Sequence, residues 1–263
     1  MIQTAATLVE RYTVGPTQEL QLRAPALTRM LAPGQAVLVK CGWGLEPYLR
    51  RTFYAIAIDD ASWTLRVPAG DDWGHAWLRA APPGAELDCL GPVGNGYSLP
   101  NDVRNLLFLG EDDAAWALLP AIAQADARGL SVTLAMEAFG GRDLIPASRL
   151  PARVEYHTAI CQRWPSSWPG SANIPEGVAQ FLPELLPWAD ALLAAGSLDF
   201  YARLADATRS ARYGLSRGFA QVLYPAAFLC GVGACQACTA DVSGGRRRVC
   251  QRGPVFDLAD VAG

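Results

Sequence analysis

CGVGACQAC, residues 230–238, followed by a lone cysteine at 250 in RRRVCQRGPVF, places four of the chain's 7 cysteines in one short stretch. The spacing, C-x4-C-x2-C-x11-C, is that of plant-type 2Fe-2S binding and not of the paired C-x2-C knuckles usual for structural zinc. Such a pattern asks for a tight loop that turns three thiolates inward while a fourth arrives from a following hairpin, with backbone N–H donors near the sulfurs. Gly231 and Gly233, which lack Cβ, suit that loop, and Ala234 and Ala237 keep it small. Cys230, Cys235, Cys238 and Cys250 are therefore candidate cluster ligands. A zinc site and a set of unrelated buried cysteines are the alternatives. Cys41, Cys89 and Cys161 stand in apolar contexts and read as core residues.

Composition sets the environment for this motif. A chain of 263 residues that is 51% hydrophobic can bury a sizeable core and has room for two or three small domains. Its net charge of -3 leaves no broad basic footprint, so nucleic acid is not an expected partner. No stretch approaches the roughly 20 apolar residues of a membrane span, and MIQTAATLVERY has neither the basic start nor the apolar middle of a signal peptide. The expectation is a cytoplasmic protein without a membrane span. In that reducing compartment clustered cysteines favour a metal or redox site over disulfides. With only His75 and His157 there is no zinc-protease motif and no Ser/His/Asp set.

A 2Fe-2S centre moves one electron at a time, so the rest of the chain is read for a donor or acceptor. Residues 1–100 predict an antiparallel β-barrel: ELQLRA, AVLVKCGW, TFYAIAI, WTLRVPA and AELDCLGPVG alternate and are divided by the turn signals APGQ, IDDAS and PPGAE. From residue 101 the texture changes. NLLFLG reads as a strand, DAAWALLPAIAQADARG as a helix ending at Gly129, and SVTLAMEA as a strand, which predicts a βαβ unit with a parallel sheet over 101–218. A Pro/Ser/Trp-bearing loop, QRWPSSWPGSANIPEG, precedes a helix VAQFLPELLPW, a strand ADALLAAG and a helix LDFYARLADATRSARYG. Trp164 and Trp168 in that loop hint at a protein interface. The small cluster domain completes the chain at 219–263. The fold class expected is multi-domain, α+β and α/β.

This order of barrel, nucleotide-type α/β domain and short cluster domain resembles the ferredoxin reductase superfamily, and within it the electron-transfer subunits of class-B dihydroorotate dehydrogenase. RTFYAIAI stands where that family has Arg-Pro-x-Ser, and GPVGNGY is similar to its Gly-Pro-Leu-Gly-Asn-Gly-Phe. The resemblance implies FAD in the barrel, NAD(P)H on the α/β domain, and electrons passed through the cluster to a catalytic flavoprotein subunit in a hetero-oligomer. It assigns Arg51, Thr52, Phe53 and Tyr54 to the flavin motif. Gly74 and His75 stand where the family opens a phosphate-binding helix, and Gly91, Gly94, Asn95, Gly96 and Tyr97 shape the flavin site. Arg51 suits a pyrophosphate through bidentate contacts.

The pyridine-nucleotide signatures depart from the family. In place of its glycine-rich turn the chain reads LGEDDAAWALLP, with only Gly110 retained. Glu111, Asp112 and Asp113 are expected at the start of the following helix, capping its amides and repelling a pyrophosphate. In place of Cys-Gly-Pro-x-x-Met it reads AAGSLDFY, keeping Gly196 with Ala195 and Ser197 around it. The expected function is an iron-sulfur flavoprotein relay subunit whose NAD(P)H binding is lost. The alternative is a non-catalytic assembly or redox-sensing subunit with a structural cluster and vestigial flavin and nucleotide sites.

Overall fold

The computed structural model describes residues 1–42, 44–161 and 177–262, so the long loop with Trp164 and Trp168 lies outside the described residues. The chain divides into two compact units. One comprises Met1–Tyr97, Pro225–Asp241 and Gly245–Val255; the other comprises Ser98–Tyr224, Val242–Gly244 and Phe256–Gly263.

In the first unit, strands β1 (Ile2–Val14), β2 (Thr17–Arg23), β3 (Ala36–Val39), β4 (Arg51–Ile58), β5 (Ser62–Val67) and β6 (Glu86–Val93) close into a barrel in the order β1-β2-β5-β4-β3-β6. Period-2 patterning drives this: Leu20 and Leu22 of β2 and Trp63, Leu65 and Val67 of β5 alternate inward and join Val37, Val39 and Phe53 in one core. The longest strand, β1, shares this alternation only in its first half, where Ile2, Ala6 and Leu8 join the core. It is a strand because both its edges are used, by β2 and by β6. The helix Trp73–Ala80 buries Gly74 and Leu78 against the barrel and begins at Asp72.

The second unit is built on a sheet of β7 (Asn105–Glu111), β8 (Ser131–Phe139), β9 (Glu155–Cys161), β10 (Ala191–Ala195) and β11 (Ala220–Leu223), all paired in parallel. A hairpin of β12 (Thr239–Val242) and β13 (Gly245–Arg248) follows the cysteine loop, and β14 (Val255–Asp257) adds the edge next to β11. The sheet order β14-β11-β10-β7-β8-β9 grows one way from β7 through β8 and β9 and the other way through β10 and β11. That places a topological switch point between β7 and β10, where sheets of this kind bind ligands beyond the carboxyl ends of their strands. Leu107, Leu109, Leu192 and Ala194 pack with Phe200, Tyr201 and Leu204 of the helix Leu198–Ala211 to form the core. The edge strand β9 is mostly exposed, so its sequence EYHTAIC carries little apolar signal.

Candidate functional site

All four clustered cysteines belong to the first unit. Gly231 and Gly233 adopt φ of +69° and +75°. A Cβ at Gly231 would lie 3.1 Å from Leu38 of β3, and one at Gly233 would lie 2.4 Å from the side chain of Gln251, so the loop turns where only glycine fits. The turn aims amides at Cys230. The Cys235 N–H lies 3.5 Å from its sulfur, and this contact, with the Val232 and Ala234 amides, lowers the Cys230 thiol to about 6. Cys250 is buried and its thiol is pushed up by that burial and by Cys238 beside it. Cys235 thus lies beside Cys230, and Cys238 lies beside Cys250. Among the described residues no three Cys, His, Asp or Glu side chains gather as a single metal ion would require. Cys41 and Cys89 are buried as expected, whereas Cys161 is half-buried at the end of β9.

Several residues assigned to the flavin site also frame this loop. Thr52 accepts a hydrogen bond from the Phe228 N–H at 2.8 Å, two residues before Cys230. The Asn95 amide donates to the Arg252 carbonyl at 2.9 Å, and Gly94 lies so close to Gly253 that a Cβ would be 2.2 Å from its carbonyl oxygen. On the barrel side Tyr97 donates its N–H to Pro33 at 2.8 Å, and Gly96 leaves 2.5 Å between a would-be Cβ and the same oxygen. Gly91 is buried against Leu27 and Val37. The run from Gly91 to Tyr97 therefore bridges the barrel turn and the segment that carries Cys250.

The remaining flavin candidates do converge. The Arg51 guanidinium grips Asp72 through Nε and Nη2 at 3.0 Å and donates through Nη1 to the Leu49 carbonyl at 2.8 Å. Asp72 in turn caps the helix Trp73–Ala80, accepting the His75 N–H at 2.8 Å. The hydrogen bond from Arg51 holds the Asp72 carboxyl at about 2, against the opposing effect of its partial burial. Gly74 lets this corner close: a Cβ there would be 3.0 Å from Cys41 and 3.2 Å from Arg51 Nε. Phe53 lies with its ring 5.7 Å from that of His75, whose pKa is lowered by burial while Asp72 pulls it back up. Next along β4, the Tyr54 hydroxyl is buried without a hydrogen-bond partner among the described residues, and burial raises its pKa. A guanidinium at a helix start and an unsatisfied buried hydroxyl fit a polar, phosphate-bearing cofactor such as FAD. Asp72 was not among the sequence candidates, although an Asp just before WGHAWL is an N-cap signal.

At the switch point the acidic residues stand at the helix start as the sequence suggested, but Glu111 and Asp112 bond amides of other segments. Glu111 ends β7 and makes no side-chain cap to the 3-10 turn Asp112–Leu118; its Oε2 reaches across to accept the Ser197 N–H at 2.7 Å. Asp112, at φ +48°, accepts the Phe139 N–H at 2.7 Å. Glu137 of β8, in parallel register with Glu111, accepts the Val178 N–H at 2.8 Å. Arg203 bonds Glu137 at 2.7 Å and Glu111 at 3.4 Å. Gly110 serves packing, since a Cβ there would lie 2.4 Å from that of Ala115. The sequence flagged Glu111 and Asp112; Glu137, a charge inside the apolar run SVTLAMEAF, was its overlooked signal.

Comparison with known proteins fits these observations. Residues 226–262 match the family model described as the iron-sulfur cluster binding domain of dihydroorotate dehydrogenase B. Over 259 residues the chain is 29% identical to the dihydroorotate dehydrogenase B (NAD(+)), electron transfer subunit of Geobacillus kaustophilus, covering 96% of this chain and 95% of that protein. The subunit of the same name from Shouchella clausii is 26% identical, with 98% of both chains covered. A structure of an NADH-dependent reduced ferredoxin-NADP oxidoreductase aligns with a TM-score of 0.76 at 17% identity, covering 97% of this chain and 88% of that one. A ferredoxin reductase of carbazole 1,9a-dioxygenase aligns at 0.63 and 22%, covering 84% and 68%. The fold is that of the ferredoxin reductases, and the resemblance read in the sequence holds over nearly the whole chain.

Proposed function

We propose that this chain is an electron-transfer subunit that holds a 2Fe-2S cluster on Cys230, Cys235, Cys238 and Cys250 and FAD on the barrel, and that it works beside a catalytic flavoprotein subunit in the cytoplasm. The observation that carries this reading is the plant-type spacing of four cysteines that lie on the same compact unit as Arg51 and Tyr54. A flavin exchanges electrons in pairs or singly, and a 2Fe-2S centre exchanges them one at a time, so the two together couple hydride chemistry to single-electron chemistry.

The chain's own residues supply the rest. The amides of Val232, Ala234 and Cys235 favour a thiolate at Cys230, which is the form that binds iron. Thr52 and Asn95 tie the two ends of the cysteine segment to the barrel. Arg51 presents a guanidinium at the start of the helix Trp73–Ala80, and Tyr54 offers a hydroxyl with unspent bonding capacity. Exposed Leu229 and Val232 flank Cys230 and give a partner protein apolar surface beside the cluster ligands. The relatives point to a dihydroorotate dehydrogenase-like flavoprotein as that partner. The role boundaries 1–100, 101–218 and 219–263 are proposed as the flavin, nucleotide-like and cluster segments.

The test is the visible spectrum of protein purified without air, before and after dithionite. Flavin and iron-sulfur bands that bleach together are expected. Cys235→Ser should remove the iron-sulfur bands and leave the far-ultraviolet circular dichroism of the barrel unchanged; an intact cluster spectrum in that variant would sink the ligand assignment. Co-purification of the tagged chain with a second flavoprotein is the expected sign of the partner.

A further inference from the structure

The backbone amides around the switch point are already taken by carboxylates and hydroxyls of the chain itself. We propose that Glu111, Glu137 and Arg203 form an internal latch that closes the α/β unit to pyridine dinucleotides, so that this chain neither binds NADH or NADPH nor is reduced by them, a departure from relatives named for NAD(+).

The carboxyl ends of β7 and β10 flank the switch point, and the chain leaves β10 through Gly196 and Ser197 into the helix Leu198–Ala211. A dinucleotide phosphate at such a place relies on amides at the helix start and on a nearby cation. Here the Ser197 amide belongs to Glu111, the Gly196 amide to the Tyr201 hydroxyl at 2.8 Å, and the Phe200 amide to the Ser197 hydroxyl at 3.2 Å. The neighbouring strand is closed in the same way, with Val178 bonded to Glu137 and Phe139 to Asp112. The cation, Arg203, is shared by the two glutamates. Asp199 adds a further negative charge in the first turn of the helix.

Charge and burial make the latch hard to open. Glu111 and Glu137 lie in register on adjacent strands, and Glu137 is fully buried. A pyrophosphate would have to take the amides from them and find a cation already matched by two carboxylates. Neither glutamate can swing into water without leaving an amide unpaired and giving up its share of Arg203. The inference stands on these contacts and does not depend on which cofactors the first unit holds.

The experiment uses the full chain as purified. Binding of NADH and of NADPH is titrated by quenching of nucleotide fluorescence up to about 1 mM, the upper range of ordinary enzyme affinities. Wild-type protein is expected to show no saturable binding and no bleaching of its visible bands by NADH under nitrogen. Saturable binding at about 100 μM or tighter, or bleaching, overturns the proposal. In the Glu111→Gln/Glu137→Gln variant, which keeps side-chain volume and removes both charges, affinity should improve about tenfold or more, equivalent to roughly 1.4 kcal/mol. Should that variant fail to show a native thermal transition, the single Glu111→Gln change carries the same test. No gain in a folded variant overturns the assignment of exclusion to these carboxylates. Dithionite added last reports the relay reading separately, because its bleaching does not involve the nucleotide crevice.

Discussion

Asp72 and Glu111 perform the same formal task, each a carboxylate of the chain placed at a helix start where an anionic ligand would sit, yet they are held in different ways. Asp72 is 37% exposed and faces one guanidinium, Arg51, itself largely shielded but reachable. Glu111 is buried, bonded to a neighbouring amide, and tied through Arg203 to a second buried carboxylate. An ion pair near the surface contributes about 0.2–1 kcal/mol, so a phosphate can exchange for Asp72 on Arg51 at small cost. Stripping a buried carboxylate of its partner costs about 3–5 kcal/mol, more than one hydrogen-bonded phosphate oxygen returns. The barrel corner is therefore compatible with a bound cofactor, and the sheet crevice is self-sufficient. The lesson is that the burial around an internal carboxylate, and not its mere presence at a helix start, decides whether a site is open to a ligand.

The comparison breaks most visibly at Arg203. Arg203→Met leaves Glu111 and Glu137 facing each other without a cation, and is expected to lower stability by about 3 kcal/mol, the low end for a buried pair because Arg203 is half-exposed. Chemical denaturation measures this, and a loss below about 1 kcal/mol would mean that the latch is no tighter than a surface pair. Glu111→Gln keeps an acceptor for the Ser197 amide but loses charge assistance, and should cost about 1 kcal/mol in the same assay. Asp72→Asn retains a capping side chain and frees Arg51, so stability should change by less than about 1 kcal/mol while flavin retention on gel filtration rises. A drop in flavin content would show that Asp72 supports the cofactor instead of competing with it.

The smallest effect is on acid stability. The Asp72 carboxyl is lowered from its usual 3.8 to about 2 by Arg51. A depressed folded-state value contributes stability that is present above the usual value and is lost as pH falls through the folded one. The stability difference between wild type and Asp72→Asn should therefore be constant above about pH 5 and shrink between about pH 4 and pH 2. A difference that stays constant down to pH 2 would detach Arg51 from Asp72 in solution.

Much of this was legible before any coordinates. The barrel runs ELQLRA and WTLRVPA carry period-2 alternation because one face of each is packed inside, and they became β2 and β5. The strand β1 was missed because its apolar rhythm, Ile2, Ala6 and Leu8, is interrupted by threonines and stops at Leu8, and one of its paired edges is supplied by distant β6. β11 and β14 were missed as well, being only four and three residues long. At the sites, the cysteine spacing singled out the loop in which Cys235 lies beside Cys230, since a loop of that length has few ways to close. The roles of Thr52, Gly94 and Asn95 as ties to the cysteine segment were not readable, because their partners Phe228, Gly253 and Arg252 lie more than a hundred residues away.

What the sequence determined by itself is therefore local: the alternation that makes strands, the glycines that let residues 230–238 turn, and the acidic residues that replace a glycine-rich turn after β7. What only the tertiary structure decided is which atom each charge meets. Glu111 was legible as a carboxylate near a helix start, but its bond to Ser197, its register with Glu137 and its share of Arg203 arise from three segments brought together by a parallel sheet. Spacing along the chain limits what a short loop can do, whereas a carboxylate's partner and its desolvation depend on every element that packs around it.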